Sequence, residues 1–381
     1  DIFERPELVA FPVSTGSAAN VLALSCCTPP WGTIFCHPAA HIAVDEANAP
    51  QFFTGGAHLT LIDGANGKID VKKLAEALAQ PVYGVVHHPQ PAAVSITQAS
   101  ECGTTYAPEE IAAISTCTRR HGLKLHMDGA RFANALSFIG CSPAELSWRA
   151  GVDVLSLGAT KNGAMGAEVV VFFDPELARE FEFRRKRGGH LFSKMRLLSS
   201  QLDAYFADGL WLDNARHANA MARRLVAGLT PLKGVQLLYR VDANEIFVVL
   251  PAHIHDALQE AGASYHPWPS DRPGERADGR MGVRRKERAR HFIDAEVHRG
   301  EREALGLERS CGVGGSRSEG AHARGATLVC FDGAGFFNAK GQFRLPVVLD
   351  NLIARGELPV TIAVGVNPGT VPAAEPGAKP R

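Results

Sequence analysis

Two short apolar runs in this chain each stop abruptly at one ionisable residue, followed by a glycine-containing turn. The first, LKLHMDGAR at residues 123–131, stops at Asp128, and the second, VLSLGATKNG at residues 154–163, stops at Lys161. Short apolar runs bounded by turn residues are typical of buried strands. Ligands of open α/β sheets bind in the crevice outside the carboxyl ends of the strands. We therefore expect Asp128 and Lys161 to face one crevice.

Strands and helices alternate along residues 1–270, which predicts an α/β fold with a mainly parallel sheet. Strands are expected at residues 9–13, 33–36, 59–62, 82–86, 94–97, 124–127, 152–157 and 168–173. Helices are expected at residues 18–25, 71–78 and 108–121. A long helical stretch at 202–229 then leads into a smaller α/β part with strands near 235–238 and 246–249.

Changes in this pattern predict the domain boundaries. We expect a large domain over residues 1–205, which starts inside a helix or loop, and a partial small domain over 206–271. Residues 272–326 are rich in arginine and glycine without apolar periodicity. This is typical of a GC-rich reading frame translated out of register; a disordered linker and a functional basic segment are the alternatives.

Apolar runs return at residues 327–371, with a helix expected at 347–354 and a strand at 359–366, before a Pro/Ala/Gly tail at 372–381 that we expect to be disordered.

Composition narrows the class of protein. The 381 residues carry 40 lysines and arginines against 40 aspartates and glutamates, which favours neither nucleic acid nor an anionic membrane as a partner. No apolar run approaches the ~20 residues that span a membrane. The eight cysteines form no CxxC pair, which is typical of a reducing compartment and predicts a cytoplasmic protein. The spacing of His, Cys, Asp and Glu predicts no metal site.

The pairing of Lys161 with Asp128 points to one cofactor. A lysine that forms a Schiff base and an aspartate that holds a pyridinium nitrogen are what a protein contributes to pyridoxal phosphate chemistry. Taken alone, a lysine at a strand end is more often a surface residue. An aspartate such as Asp128 is also a common cap for a helix like the one expected at residues 130–138.

Three further segments carry candidate site residues. Gly16 and Ser17 open a helix after the first strand, where free backbone N–H groups favour a phosphate. The flat imidazole of His41 can stack on a ring and transfer protons, although a lone histidine is more often structural. Arg131 can grip a carboxylate or phosphate, or lie on a solvated helix face. Residues 87–88 are a second histidine pair with less context.

Together these segments resemble the low-specificity threonine aldolase family, fold-type-I pyridoxal phosphate enzymes grouped with the β-eliminating lyases, and in particular its bacterial branch with phenylserine aldolases. The resemblance covers residues 1–270 and rests on five motifs in this order: TGSAAN, HPAAHIAVDEANAPQFFTGGA, SITQASECGTTY, HMDGARFANA and LGATKNGA.

The resemblance implies roles in cofactor binding or catalysis for six residues: Gly16, Ser17, His41, Asp128, Arg131 and Lys161. Lys161 would form the Schiff base, Asp128 would contact the pyridine nitrogen, and His41 would stack on the ring. Gly16 and Ser17 would bind the phosphate, and Arg131 would contact the cofactor–substrate adduct. His41 or an ordered water is the candidate base for the β-hydroxyl proton.

The implied reaction is the cleavage of L-β-hydroxy-α-amino acids such as threonine and phenylserine to glycine and an aldehyde. The resemblance also implies a homodimer or homotetramer with active sites at subunit interfaces. The basic run at residues 184–189 is a candidate to reach a neighbour's phosphate, or forms a solvated helix face.

The chain also departs from this family. The family has a further segment before the point where this chain starts, so we expect an N-terminally truncated domain. The match stops near residues 279–281, where the arginine for the substrate carboxylate should follow, and that role is not transferred to Arg284 or Arg285.

The last part of the chain resembles a different family. FDGAGFF and VLDNLIARGELPVTIAVGVNPG resemble the opening of an enterochelin-esterase-type α/β-hydrolase, without its G-x-S-x-G elbow. The alternative to an active aldolase is therefore a catalytically impaired remnant fused to a hydrolase fragment. A genuine aldolase–hydrolase fusion is a third hypothesis, which the missing serine disfavours.

Overall fold

The computed structural model describes residues 2–80, 82–261, 263, 265–267, 288–294, 326–331 and 361–366. The chain divides into two units, residues 1–307 and 308–381. In the second unit, strand β12 (Ala326–Phe331) pairs in parallel with β13 (Thr361–Val366). Both strands lie where the sequence predicts apolar runs, whereas the helix expected at residues 347–354 lies outside the described residues.

The first unit holds the remaining elements. Its helices are α1 (Gly16–Cys27), α2 (His41–Val44), α3 (Ala49–Thr54), α4 (Val71–Leu78), α5 (Pro108–Arg120), α6 (Phe132–Ile139), α7 (Phe181–Arg187), α8 (Arg196–Phe206), α9 (Leu210–Leu229) and α10 (Ala252–Glu260). Its strands are β1 (Val9–Val13), β2 (Gly32–Cys36), β3 (His58–Leu61), β4 (Gln90–Thr97), β5 (Lys124–Gly129), β6 (Val154–Gly158), β7 (Glu168–Phe172), β8 (Gln236–Leu237), β9 (Glu245–Pro251), β10 (His266–Pro267) and β11 (Arg288–Asp294).

Seven strands form the main sheet in the order β1-β7-β6-β5-β4-β2-β3. The five strands from β6 to β3 are parallel, while β7 runs antiparallel to both of its neighbours. The predicted α/β fold with a mainly parallel sheet is therefore confirmed. The carboxyl ends of β4, β5 and β6 meet at one edge of this sheet.

The side chains of β5 alternate between the two faces of the sheet. Leu125 and Met127 belong to a large buried cluster that includes residues of α4, α5 and α6. His126 and Asp128 point to the opposite face, where α1 lies and where Asn20 donates a hydrogen bond to Asp128. Because side chains in a strand have a period of two, one strand supplies both the core and a polar residue on the other face.

A second sheet has the order β10-β11-β9-β8, with all neighbours antiparallel. Its strands β8 and β9 match the small α/β part predicted after residue 206. Strand β11 lies within the segment 272–326, where the sequence predicts low order, and that prediction was wrong for these seven residues. Pairing along the whole of β9 supplies backbone hydrogen bonds that do not depend on apolar periodicity.

The strand expected at residues 82–86 was also wrong. This segment forms turns, and its apolar residue Val86 is 91% exposed. Gly84 has a left-handed φ of +73°. The amide of Gln90 donates to the carbonyl oxygens of Val82 (3.0 Å), Val85 (3.1 Å) and His88 (2.9 Å). The Gln90 side chain thus forms hydrogen bonds with carbonyl groups that, in a strand, would bond to a neighbouring strand.

The long helical stretch expected at residues 202–229 is two helices, α8 and α9. Asp208 (φ +50°) and Gly209 (φ +74°) separate them in left-handed conformations that no α-helix continues through. In the part of the chain that the structure describes, none of the helices is long and apolar enough to cross a membrane.

Close backbone approach at the end of β6 gives a test of the fold. A Cβ atom built on Gly158 would lie 2.5 Å from the Ala130 carbonyl oxygen and 2.7 Å from its Cα, whereas one on Gly166 would meet nothing within 4 Å. We expect Gly158→Ala to lower the free energy of unfolding of the apoprotein by about 1–3 kcal/mol because backbone must shift. Urea unfolding should show little change for Gly166→Ala. Equal stabilities of the two variants would contradict this packing.

Candidate active site

A cavity of about 640 Å³ opens at the carboxyl ends of β4, β5 and β6. Small-molecule sites commonly have volumes of ~300–1,000 Å³. The six residues that the sequence singles out all line this cavity: Gly16, Ser17, His41, Asp128, Arg131 and Lys161. The expectation that Asp128 and Lys161 face one crevice is therefore confirmed.

The first turn of α1 forms one wall of the cavity. The Thr15 hydroxyl caps the helix by accepting a hydrogen bond from Ala18 N at 3.1 Å. The first N–H groups of an α-helix have no acceptor within the helix. Those of Gly16 and Ser17 therefore point toward the cavity end of a helix whose dipole favours an anion. Nothing lies within 4 Å of a Cβ built on Gly16, so this position is open.

Asp128 is a buried residue on the cavity wall, with 5% of its surface exposed. Its Oδ2 accepts from Asn20 Nδ2 at 2.8 Å, and its Oδ1 accepts from Ala130 N at 3.0 Å. Helix α6 begins at Phe132 with Arg131 as its N-cap residue, so Asp128 does not cap it. Both hydrogen bonds hold the Asp128 side chain in one orientation on the cavity wall.

His126 lies on the same face of β5 as Asp128 but serves a structural purpose. Its ring is hydrogen-bonded to the hydroxyls of Ser95 (2.9 Å) and Ser156 (3.0 Å), and burial lowers its pKa to about 4. The ring is therefore neutral at physiological pH. Among the described residues, no group of three His, Cys, Asp or Glu side chains is placed to hold a metal ion.

His41 begins the short helix α2 with a half-exposed ring on the cavity wall. Its Nδ1 lies 2.9 Å from Oε1 of Glu46, whose side chain is fully buried. The hydrogen bond to Glu46 raises the pKa of His41, and partial burial opposes this in part. The imidazole therefore has a carboxylate partner on one nitrogen and the cavity in front of the rest of the ring.

Lys161 lies in a 3₁₀ turn that neighbouring elements hold rigidly. The side chain of Asn162 donates to the Tyr205 hydroxyl (2.7 Å) and to the Trp211 carbonyl (2.8 Å). On the other side, Oε2 of Glu168 accepts from Ala159 N at 2.8 Å. These contacts fix the backbone on both sides of Lys161, so the amine is carried by an anchored turn rather than by a free surface loop.

Arg131 is 11% exposed in its side chain and pairs with Glu245 at the start of β9, with 3.1 Å between Nη1 and Oε1. The alternative of a solvated helix residue is therefore wrong. Because Glu245 comes from the smaller sheet, this ion pair brings a residue far along the chain to the cavity. Burial of both side chains makes the pair a fixed part of the cavity wall.

Other sequence candidates lie elsewhere. Residues 87–88 are exposed in the turn before β4 and do not line this cavity. In the basic run, Arg184 pairs with Glu180 at 2.7 Å and the guanidinium of Arg185 lies 5.2 Å from the ring centre of Phe11. Residues 284–285 lie outside the described residues.

Sequence reasoning missed the buried acids and the amide around the cavity. Glu46, Glu101 and Asn20 were quoted only as letters within motifs, and Glu168 and Glu245 were not singled out. Glu101 accepts from His41 N (2.7 Å) and Thr97 Oγ1 (2.9 Å). The one available signal was position, since Glu101 closely follows the end of β4.

Glu101 gives a prediction on pH dependence. Burial, aided by the charge of Asp128, raises its pKa to about 7. The folded protein therefore favours the protonated form of Glu101. The resulting contribution to the free energy of unfolding is present below the ordinary carboxyl pKa and is lost as pH rises through 7. We expect the unfolding free energy of the apoprotein to fall between pH 5 and 8, by about 1–3 kcal/mol more in the natural chain than in Glu101→Gln.

Urea unfolding at the two pH values measures this difference. Glu76→Gln, at an exposed position on α4, is the matched control and should behave like the natural chain. A natural chain and a Glu101→Gln variant with the same pH dependence would show that Glu101 is ionised throughout.

The residues on this cavity fit pyridoxal phosphate. That molecule needs an anion site for its phosphate, a carboxylate for its pyridine nitrogen and an amine for its aldehyde. The first turn of α1, Asp128 and Lys161 supply these three groups, and His41 adds a flat ring. Asp128 is buried and held by two hydrogen bonds, so its carboxyl group has a fixed place on the cavity wall.

The sheet order and the cavity at its carboxyl edge define an enzyme of the fold-type-I architecture. A solved structure of the Leishmania major threonine aldolase is similar to this chain, with a TM-score of 0.69 and 26% identity over 77% of this chain and 81% of the other. Two curated proteins named low-specificity L-threonine aldolase, from Pseudomonas sp. (strain NCIMB 10558) and Pseudomonas aeruginosa, are 41% and 42% identical over 253 residues. Each match covers 66% of this chain and 72% of the relative.

The beta-eliminating lyase family matches residues 1–253, about two thirds of the chain. This chain belongs to the beta-eliminating lyase family. The resemblance drawn from the five motifs is thereby confirmed for the first part of the chain.

Proposed function

We propose that this chain is a pyridoxal phosphate-dependent aldehyde-lyase that cleaves L-β-hydroxy-α-amino acids, threonine and phenylserine among them, to glycine and an aldehyde. The observation that carries the proposal is the convergence of Lys161, Asp128 and the first turn of α1 on one cavity. Identity above 40% with two low-specificity L-threonine aldolases supports the reaction class. A homodimer or homotetramer and a cytoplasmic location belong to the same proposal.

The bound cofactor would supply an aldehyde carbon for the amine of Lys161 and a ring that withdraws electrons from the substrate Cα. Asp128 would hold the pyridine nitrogen in its protonated state, which strengthens that withdrawal. Gly16 and Ser17 would hold the phosphate through backbone N–H groups at the helix terminus. His41 would cover one face of the ring.

The substrate must be oriented as well as bound. Arg131 would contact the cofactor–substrate adduct, and its ion pair with Glu245 at 3.1 Å holds the guanidinium in one direction. Correct orientation of the bond to be cleaved is worth several orders of magnitude in rate. The half-exposed ring of His41 is a second polar group that a substrate hydroxyl or carboxylate can reach.

Absorbance spectroscopy of the purified chain with added pyridoxal phosphate, and then with glycine, tests this function. A band near ~420 nm is expected when the cofactor joins Lys161, and a further red-shifted band when glycine enters the substrate site. A first band without the second indicates the impaired remnant. The absence of both bands overturns the proposal.

Lys161→Ala should abolish the visible band of the bound cofactor, because the amine that joins the aldehyde is removed. Borohydride reduction followed by peptide mapping should find the cofactor on Lys161 in the natural chain. A stable adduct on another lysine in Lys161→Ala would contradict the assignment.

Asp128→Asn should reduce the cleavage rate by two or more orders of magnitude, because a neutral amide no longer keeps the ring nitrogen protonated. Aldehyde release from threonine or phenylserine measures this rate. Near-normal turnover in Asp128→Asn would reject the contact with the pyridine nitrogen.

A further inference from the structure

Four polar side chains form one hydrogen-bonded chain along the cavity. His41 Nδ1 lies 2.9 Å from Glu46 Oε1, Asn20 Nδ2 donates to the same Oε1 at 3.0 Å, and Asn20 Nδ2 also donates to Asp128 Oδ2 at 2.8 Å. The four residues come from α2, the segment after it, α1 and β5. This row of hydrogen bonds therefore connects His41 at one end with Asp128 at the other, the two residues proposed to contact the cofactor ring.

Among the four hydrogen-bonded residues, Glu46 has a fully buried side chain that solvent does not reach. A buried carboxylate is stable only when hydrogen bonds and an opposite charge compensate it. Asn20 supplies a neutral hydrogen bond, and His41 is the group that can supply the positive charge. The hydrogen bond between His41 and Glu46 and the burial of the Glu46 side chain therefore favour the protonated form of His41.

The direction of this bond decides what His41 can do in the cavity. Nδ1 is committed to Glu46, so Nε2 is the nitrogen left for a ligand, on a ring whose side chain is 38% exposed. In a protonated imidazole both nitrogens carry hydrogen and neither can accept a proton. The ring is then a hydrogen-bond donor.

We propose that Glu46 and Asn20 are positioning residues that hold His41 as an imidazolium, so that His41 serves the site as a hydrogen-bond donor through Nε2 and not as a base. The role of His41 toward a ligand rests on the proposed function. The charge state of His41 belongs to the apoprotein and is testable without any ligand.

The charged groups around His41 agree with this assignment. Besides Glu46, the carboxylate of Asp128 on β5 raises the pKa of His41, while Lys161 after β6 and partial burial lower it. Glu101, after β4, accepts the backbone N–H of His41 at 2.7 Å and does not contact its ring. The hydrogen bond from the ring to Glu46 is the largest of these effects.

Asn20 joins the two carboxyl groups of this network. Its amide nitrogen donates to Glu46 at 3.0 Å and to Asp128 at 2.8 Å, so both groups share one neutral donor. Asn20 therefore holds Glu46 Oε1 in the position where it meets the His41 ring, and links that position to the one of Asp128.

The titration of His41 in the apoprotein, followed by NMR of the imidazole carbons, tests the role of Glu46. Comparison with His41→Gln identifies the resonance among the 15 histidines. We expect a pKa above the ordinary value in the natural chain and a fall of about one unit or more in Glu46→Gln. Glu101→Gln is the matched control and should leave the value within a few tenths of a unit.

A His41 pKa that does not change in Glu46→Gln, or one below 6.5 in the natural chain, overturns the role of Glu46. This result would leave the proposed function standing, because the cofactor spectrum does not depend on it. Conversely, the protein could show the expected His41 titration but no cofactor band. That result would support the role of Glu46 and reject the proposed function.

Asn20→Ala tests the role of the shared amide. We expect Asn20→Ala to lower the pKa of His41 in the same NMR titration, because Glu46 Oε1 is no longer held against the His41 ring. Asn219→Ala is the matched control, since the described hydrogen bonds of the buried Asn219 side chain are made to Asn134, at 2.9 Å and 3.2 Å. The control should leave the His41 pKa unchanged, and an equally unchanged value in Asn20→Ala overturns the role of Asn20.

Discussion

The hydrogen bond from Asn20 to Asp128, at 2.8 Å, joins the first helix to the central strand of the main sheet. It fixes the position of the Asp128 carboxylate relative to the helix terminus at Gly16 and Ser17. The proposed phosphate site and the proposed partner of the pyridine nitrogen are therefore held at a constant separation before any ligand arrives. Preorganised polar groups of this kind cost little reorganisation at the moment of reaction.

Several acidic side chains on or behind the cavity wall have a compensating partner. On the wall, Glu245 has the guanidinium of Arg131 and Asp128 has two N–H donors, while Glu46, behind the wall, has the ring of His41. Glu101 has hydrogen bonds on one oxygen only, and burial raises its pKa to about 7. In the proposed function, these acidic side chains would favour a protonated ring in the cavity.

Several elements follow directly from local pattern. Helix α4 has the predicted bounds because its apolar residues recur at helical spacing, and β1 has them because it is a short apolar run with a clear boundary. The segment 82–86 has an equally apolar pattern but forms turns, since the side chain of Gln90 binds its carbonyl groups. Strand β11 lacks apolar periodicity and is held by pairing with β9. In both cases a partner outside the segment decides the backbone, and no local pattern reports that partner.

The sequence by itself determined the sheet class, the strand ends at Asp128 and Lys161, and the six candidate residues that line the cavity, because strand period and turn residues are local properties. The tertiary structure alone decided what these residues touch. Asn20 lies 108 positions before Asp128, and Arg131 pairs with Glu245 of the smaller sheet. Partners this distant meet only when helices and sheets have packed, so the charge state and direction of each site residue depend on the folded chain.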